Sequence, residues 1–326
     1  MRPGRVRGLR LTLAGTLLAL LAGCSAFDYA ATPLPPATPS TTAAPAPATT
    51  PATCNNPTAS YAADDPLPKP GDLPSGSTMA KIRARGRLIA GVSADTYLLG
   101  ARDPLNGRIQ GFDIDMVKAV AKAIFGDESK YQLRVITAAD RIPLLQKGDI
   151  DIVARAMSIT CDRWKQVAFS TEYYHAGQTI LVRRGDKATS LADLAGKRVC
   201  APSGTSSLTQ LRARAPKAIA VESDSHTGCL VLFQQGQVDA ITGDDTVLAG
   251  LAAQDPYAVV PDQKPFTDEP YGLGINADHV DLVRFVNARL AQMRSDGEWT
   301  TIYNRWLAGP LGPAPAPPRA VYGRAR

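Results

Sequence analysis

Between Arg155 and Trp164 the chain reads RAMSITCDRW, two arginines around a small hydroxyl cluster. An arginine presents a planar fork that meets a carboxylate in two bonds. Thr160 can cap a short helix opening at Cys161, and the free N–H groups of such an opening favour an anion. Ser158 adds a hydroxyl, and Arg163 stands one turn into the helix. This is the chemistry of a carboxylate clamp. A second stretch, PSGTSS, is a glycine turn opening a helix: Gly204 permits the bend, and Thr205 and Ser206 offer hydroxyl and N–H groups. A third, TGDD, places Asp244 and Asp245 at the end of QVDAIT. Asp244 can hold an ammonium group, whereas Asp245 reads better as a helix cap. Each stretch alone also describes a capped surface helix. Together they complement a free α-amino acid. Arg155 is then left over. Turned into a cleft it would receive a second carboxylate, and the ligand would be an acidic amino acid. Otherwise it is half of a structural ion pair.

Strands must deliver these segments to one place. RLIAGVS, YQLRVIT and DIDIVARA read as short buried strands. Between them, QGFDIDMVKAVAKAIFG carries Met116, Val117, Val120, Ile124 and Phe125 on one helical stripe, with Gly126 as its stop. AADRIPLLQKG reads as a helix ending in glycine. Alternating strands and helices predict an α/β fold with a largely parallel sheet. The alternation resumes from LADLAGKRVCAPSG to QVDAIT, with HTGCLVLFQQG as one of its helices. LLQKGDIDIV (144–153) and LFQQGQVDAI (232–241) look like one helix–Gly–strand unit used twice, once per domain. Ligands of open α/β sheets bind at the carboxyl ends of strands, and RAMSITCDR, APSGTSS and TGDD all leave strands there.

The chain has 326 residues, 44% of them hydrophobic and 20% charged, which suits a globular protein of two domains. Its net charge of +6 comes from seven arginines in the first 23 and last 17 residues; the stretch between carries −1. The basic balance therefore does not indicate nucleic acid. Only three histidines occur, none within the three ligand segments, and no nucleophile–base pair is suggested. The expectation is a protein that is not an enzyme and uses no cofactor or metal.

An arginine-rich start, a short apolar run and LAGC read as a lipoprotein signal peptide over 1–23, with Cys24 lipidated. Residues 24–78 are dominated by Pro, Thr and Ala, an extended tether, and residues 310–326 read as a disordered tail. Cys54, Cys161, Cys200 and Cys229 remain. In an exported protein they can form two disulfides, in three possible pairings. A rival use is a metal site of Cys200, His226 and Cys229, for which no fourth ligand stands out.

GVSADTY, GRIQGFDIDMVKAVAKAI, ITAADRIPLLQKGDIDIVARAMSITCDRWKQVAFS, LADLAGKRVCAPSGTSS and QQGQVDAITGDD, in this order, resemble the polar amino-acid-binding proteins of ABC transporters, solute-binding protein family 3. Within that family the chain looks like the mycobacterial glutamine/glutamate-binding lipoproteins. The resemblance covers nearly all of residues 79–307. It implies the two-lobe periplasmic-binding-protein-like fold of type II, with lobe 1 from 79–176 and 264–309 and lobe 2 from 177–263. The two crossovers would lie near Tyr174–Gln178 and Val260–Phe266. Arg163 would take the α-carboxylate, with Ser158 and the Ala156 backbone beside it. Thr205 and Ser206 match the carboxylate loop of lobe 2, and Asp244 matches the ammonium acceptor. Tyr97 falls near the aromatic that covers the ligand, one residue further from Gly91 than usual, with Thr96 as the alternative. Family members often carry a small residue at the place of Arg155, which points to side-chain selection. Many have proline at Cys161, which marks Cys161 as a disulfide partner. Cys200 and Cys229 belong to one lobe and would pair, leaving Cys54 to Cys161.

The implied protein is a lipid-anchored monomer on the outer face of the cell membrane. It would bind glutamate or aspartate, with asparagine and glutamine as alternatives, and pass it to an ABC permease and its ATPase. A sensor subunit that signals to a membrane partner without transport is one rival. A small dehydratase on the same fold is the other.

Overall fold

The computed structural model describes residues 54–325; the expected signal peptide, Cys24 and the tether up to residue 53 lie outside them. The first run of elements is α1 (Thr78–Arg85), β1 (Leu88–Val92), β2 (Asp95–Thr96), β3 (Gly100–Arg102), β4 (Ile109–Gln110), α2 (Phe112–Phe125), β5 (Tyr131–Val135), α3 (Arg141–Gln146), β6 (Ile152–Ala154), α4 (Cys161–Trp164) and β7 (Ala168–Phe169). A ten-residue strand, β8 (Tyr174–Arg183), then carries the chain into β9 (Arg198–Pro202), α5 (Ser206–Arg214), β10 (Ile219–Ser223), α6 (His226–Gln234), β11 (Ala240–Asp244), α7 (Asp245–Ala252) and β12 (Ala258–Val259). The return is β13 (Thr267–Tyr271), β14 (Gly274–Ile275), α8 (Val280–Ser295), α9 (Glu298–Trp306) and α10 (Ala308–Leu311).

Two sheets result. The first runs β5-β1-β6-β14-β7, and the second β10-β9-β11-β8-β12, with β13 also paired to β8. In each, the first three strands are parallel and the rest join antiparallel. The predicted stripe of α2 is buried at Met116, Val117, Val120 and Ile124, and Gly126 ends the helix in the left-handed conformation. The second sheet has a core on each face. One packs α5 around Leu208 and Leu211; the other packs α6 and α7 around Phe233, Leu248 and Leu251.

The two similar stretches at 144–153 and 232–241 do the same work in both sheets. Gly148 and Gly236 each have φ +71°, ending one helix and launching the next strand. The following aspartate then pairs with a neighbouring strand through side chain and backbone. Asp151 Oδ2 accepts the Ile89 N–H (2.7 Å) while the Asp151 N–H donates to Ile89 O (2.8 Å). Asp239 Oδ2 accepts the Arg198 N–H (2.8 Å) and the Asp239 N–H donates to Arg198 O (2.8 Å).

The resemblance implies a second crossover near Val260–Phe266, but the strand that pairs along β8 is β13, from Thr267 to Tyr271. Two acids and Pro270 hide it from strand propensity. The tail differs more. Expected as disordered from residue 310, it docks instead: Ser60 N–H donates to Val321 O (3.0 Å), and Ser60 bridges Tyr322 in parallel. Arg324 lies 3.6 Å over the Trp164 ring and donates from Nε to Ala59 O (3.1 Å). A proline-rich tail has no core of its own, yet a guanidinium over an indole and a few backbone bonds suffice to seat it. Its platform is the end of the tether, where Trp164 Nε1 donates to Pro57 O and Ser60 Oγ to Phe169 O, both at 2.7 Å. Cys54 bonds to Cys161 and so fixes this segment to α4; Cys200 bonds to Cys229 between β9 and α6. With both sulfurs in a disulfide, the metal alternative loses two of its three ligands. In the chain-entropy view, crosslinks over 107 and 29 residues contribute about 3–5 kcal/mol each.

Candidate functional site

The carboxyl ends of the parallel strands of both sheets face one cavity. From the first sheet, Ser93 and Thr96 follow β1, Arg141 follows β5, and Arg155, Ala156 and Arg163 follow β6. From the second, Thr205 to Ser207 follow β9, His226 follows β10, and Asp244 and Val247 end and follow β11. Asp113, in the first turn of α2, completes the wall.

The lobes touch directly across it. Arg141 Nη2 donates to Gly204 O (2.9 Å), Arg163 Nη2 to the same oxygen (3.3 Å), and the Ser158 and Ser206 hydroxyls stand 3.1 Å apart. On the far side, Thr227 Oγ1 donates to Asp95 O (2.7 Å). Gly204, at φ +74°, needs its missing side chain for this approach: a Cβ there would meet Ala139 Cα at 2.7 Å.

Local folding explains how each group is aimed. Thr160 Oγ1 accepts the Arg163 N–H (3.2 Å), so the one-turn helix α4 is capped, and Arg163 Nη1 donates to Ser158 O (2.6 Å). Ala156 is held at φ +41° by Asp113, whose Oδ2 accepts its N–H (2.9 Å) while Oδ1 accepts the Tyr173 hydroxyl (2.7 Å). Burial lifts the Asp113 carboxyl to about 6 against these two bonds and the nearby arginines. Arg155 is only 9% exposed, and its Nε donates to Ile136 O (2.9 Å). Its two terminal nitrogens have no hydrogen-bond or ion-pair partner among the described residues. Burial lowers the pKa of Arg155, with Asp95, Asp113 and Asp140 opposing it through space.

On lobe 2, Thr205 caps α5 by accepting the Leu208 N–H (3.1 Å) and donates its own proton to Pro202 O (2.6 Å). Asp244 is 5% exposed. Its Oδ2 accepts the Tyr271 hydroxyl (2.7 Å), and its Oδ1 has no partner among the described residues. Burial and then the Glu269 charge hold the Asp244 carboxyl well above the ordinary range.

Of the eight residues expected at the ligand, Arg155, Ala156, Arg163, Thr205, Ser206 and Asp244 line the cavity. Ser158 meets it through Ser206. Tyr97 does not line it: its side chain is 47% exposed, its backbone lies against Gly250 of α7, and Thr96 takes the place on the wall. Among the polar wall residues that the sequence reading did not place at the ligand are Arg141, Asp113 and His226, the last considered there only as a metal ligand. Arg141 opens α3, and burial beside two other arginines depresses its pKa strongly. Asp113 sits inside the GFDID motif. His226 opens α6, and burial lowers it to about 3, so it is neutral at ordinary pH.

Known proteins of this kind match along most of the chain. A glutamine-binding protein of an ABC transporter from Bacillus subtilis is 40% identical over 232 residues, 71% of this chain and 84% of that relative. A glutamate-binding protein from Corynebacterium efficiens is 31% identical and matches 78% of this chain and 89% of its own. Among solved structures, a mutant of the arginine-binding protein of T. maritima superposes with a TM-score of 0.66 at 29% identity, covering 71% of this chain and 99% of that one. An ancestral arginine-binding protein bound to glutamine gives 0.64 at 34%, covering 68% and 98%. Residues 88–309 match the family described as bacterial extracellular solute-binding proteins, family 3, and the chain belongs to it.

Proposed function

We propose that this protein is the extracytoplasmic receptor of an amino-acid ABC importer, and that its ligand is an acidic amino acid, glutamate or aspartate. The observation that carries the acidic reading is the Arg155 guanidinium, buried on the cavity wall with both terminal nitrogens unpaired. Those nitrogens are left free for a second ligand carboxylate to meet in two bonds. The unpaired Asp244 Oδ1 suits an ammonium. Arg163 suits the α-carboxylate, together with the Ser206 and Ser207 N–H groups in the first turn of α5. Charge-assisted bonds of about 1.5–3 kcal/mol each reach the roughly −8 kcal/mol of a micromolar complex with a handful of contacts. No bond is made or broken; the work is closure of two lobes on one ligand, for delivery to a permease and its ATPase.

Glutamine is a second reading, favoured by relatives named as glutamine-binding at 40% and 41% identity. Calorimetry with glutamate, aspartate, glutamine and asparagine separates the two. The acidic reading expects one of the acids to bind at least about tenfold tighter than its amide. Equal or tighter amide binding removes it, and no heat with any of the four removes the receptor reading itself.

The LAGC sequence supports a lipid on Cys24 as the membrane anchor. Cys24→Ser, expressed in a bacterium that lipidates such signals, should move the protein from the membrane to the soluble fraction. Persistence in the membrane fraction would end the lipoprotein reading.

A further inference from the structure

The returning crossover strand turns one face to the site. Glu269 and Tyr271, two residues apart on β13, are both buried, at 2% and 0% exposure. Glu269 Oε2 accepts the Ser206 hydroxyl (2.7 Å), and its Oε1 accepts the Thr267 hydroxyl (2.9 Å). The Tyr271 hydroxyl donates to Asp244 Oδ2 (2.7 Å) and lies 3.0 Å from Thr246 Oγ1. The residue between them, Pro270, points the other way and offers its carbonyl to the Ile159 N–H (2.7 Å), next to Ser158.

A count of protons makes this face more than packing. A hydroxyl has one proton to give, and a carboxylate has none. Ser206 gives its proton to Glu269, so at 3.1 Å Ser158 gives its own to Ser206. Thr205 gives its proton to Pro202 O. These three hydroxyls are thus engaged within the protein, which leaves Arg163, the Ser207 hydroxyl and backbone N–H groups as donors for the α-carboxylate of a ligand. On the other side, Tyr271 occupies one oxygen of Asp244 and leaves the other, Oδ1, as the acceptor for an ammonium.

We propose that Glu269 and Tyr271 are positioning residues for ligand capture: through Ser206 and Asp244, the crossover strand sets how lobe 2 receives the carboxylate and the ammonium of an amino acid. The inference rests on the amino-acid-receptor reading above. It ties the hinge to the site, because the strand that joins the lobes is also the strand that orients these two groups.

The test is the pH profile of binding. The charged and titratable groups around Asp244 are Glu269 and Tyr271 on β13, Tyr174 on β8, Asp245 on α7, Arg141 on α3 and Arg163 on α4. Burial and the Glu269 charge raise the Asp244 carboxyl, and the Tyr271 bond opposes them. An ammonium binds the ionised carboxylate. Affinity is therefore full above the Asp244 pKa and falls as pH drops through it, above the ordinary carboxylate range. Tyr271→Phe removes the opposing bond and keeps the ring, so the acid limb should move up by about one pH unit. Glu269→Gln keeps an acceptor for Ser206 and removes the repelling charge, so the limb should move down by about one unit. Calorimetry from pH 5 to 9 on the full chain, with glutamate or, where the amino-acid panel favours it, glutamine, reads both. Opposite shifts support the proposal. A loss of equal size at every pH, shifts in the same direction, or unchanged profiles in both variants overturn it. Wild type that binds neither amino acid overturns the receptor reading instead, which separates the two failures.

Discussion

Arg163→Ala is expected to abolish binding of every amino acid, acid or amide alike, because all carry the α-carboxylate that Arg163 is positioned to meet. Its guanidinium is held by the Ser158 and Gly204 carbonyls, and Thr160 caps the turn that carries it. The fork is therefore fixed before any ligand arrives, and little side-chain entropy remains to be lost on binding. Removing one partner of a desolvated charge pair costs about 2–5 kcal/mol, or roughly thirtyfold to several thousandfold in Kd. Arg163→Lys keeps the charge but not the fork, and should recover only part of the loss. Calorimetry reads both, with thermal melting to confirm that each variant folds. Retained micromolar binding in the alanine variant would put Arg163 outside the ligand site.

The strand-end rule reached further than the three segments to which the sequence reading applied it. Those three announce themselves through clustered hydroxyls and charges. Arg141 follows a strand end too, but DRIPLLQKG continues as a helix, and the helical pattern absorbed the arginine that opens it. His226 went the same way: it opens HTGCLVLFQQG and also lies just past β10. Both stand on the cavity wall. A residue at a helix opening that follows a parallel strand faces the crevice wherever the helix is anchored, so the first turn of every such helix belonged in the search. The α/β alternation of the parallel strands and their helices, by contrast, was legible, because burial sets it and burial leaves a period in the chain. The one-residue ambiguity between Thr96 and Tyr97 could not be resolved that way. Thr96 ends the two-residue strand β2 and Tyr97 follows it, a stretch too short to carry a period. The docked tail left no periodic signal either, since a single Arg324–Trp164 stack and a few backbone bonds hold it.

Arg155→Met is expected to change the ratio of affinities rather than affinity alone. The opening arrangement of two arginines has a physical reading if the ligand carries two carboxylates, one for Arg163 and one for Arg155. The alternative, a structural ion pair, requires an acid in contact with Arg155. Among the described residues no carboxylate comes within ion-pair distance of it, and Asp95, Asp113 and Asp140 act only through space. Its single bond, from Nε to Ile136 O, orients the side chain and leaves the far edge of the fork unpaired. Methionine keeps much of the stem and removes the fork, so the cavity wall keeps most of its volume. Glutamate or aspartate would then bury a carboxylate without its donor, and should lose about 2–5 kcal/mol. Glutamine and asparagine place a neutral amide there, lose at most a hydrogen bond, and should weaken by about 1 kcal/mol. Misfolding would weaken all four together, so the diagnostic result is a fall of at least about fivefold in the acid-to-amide affinity ratio. Equal weakening of acids and amides, or none, would make Arg155 a structural residue and withdraw the acidic specificity with it.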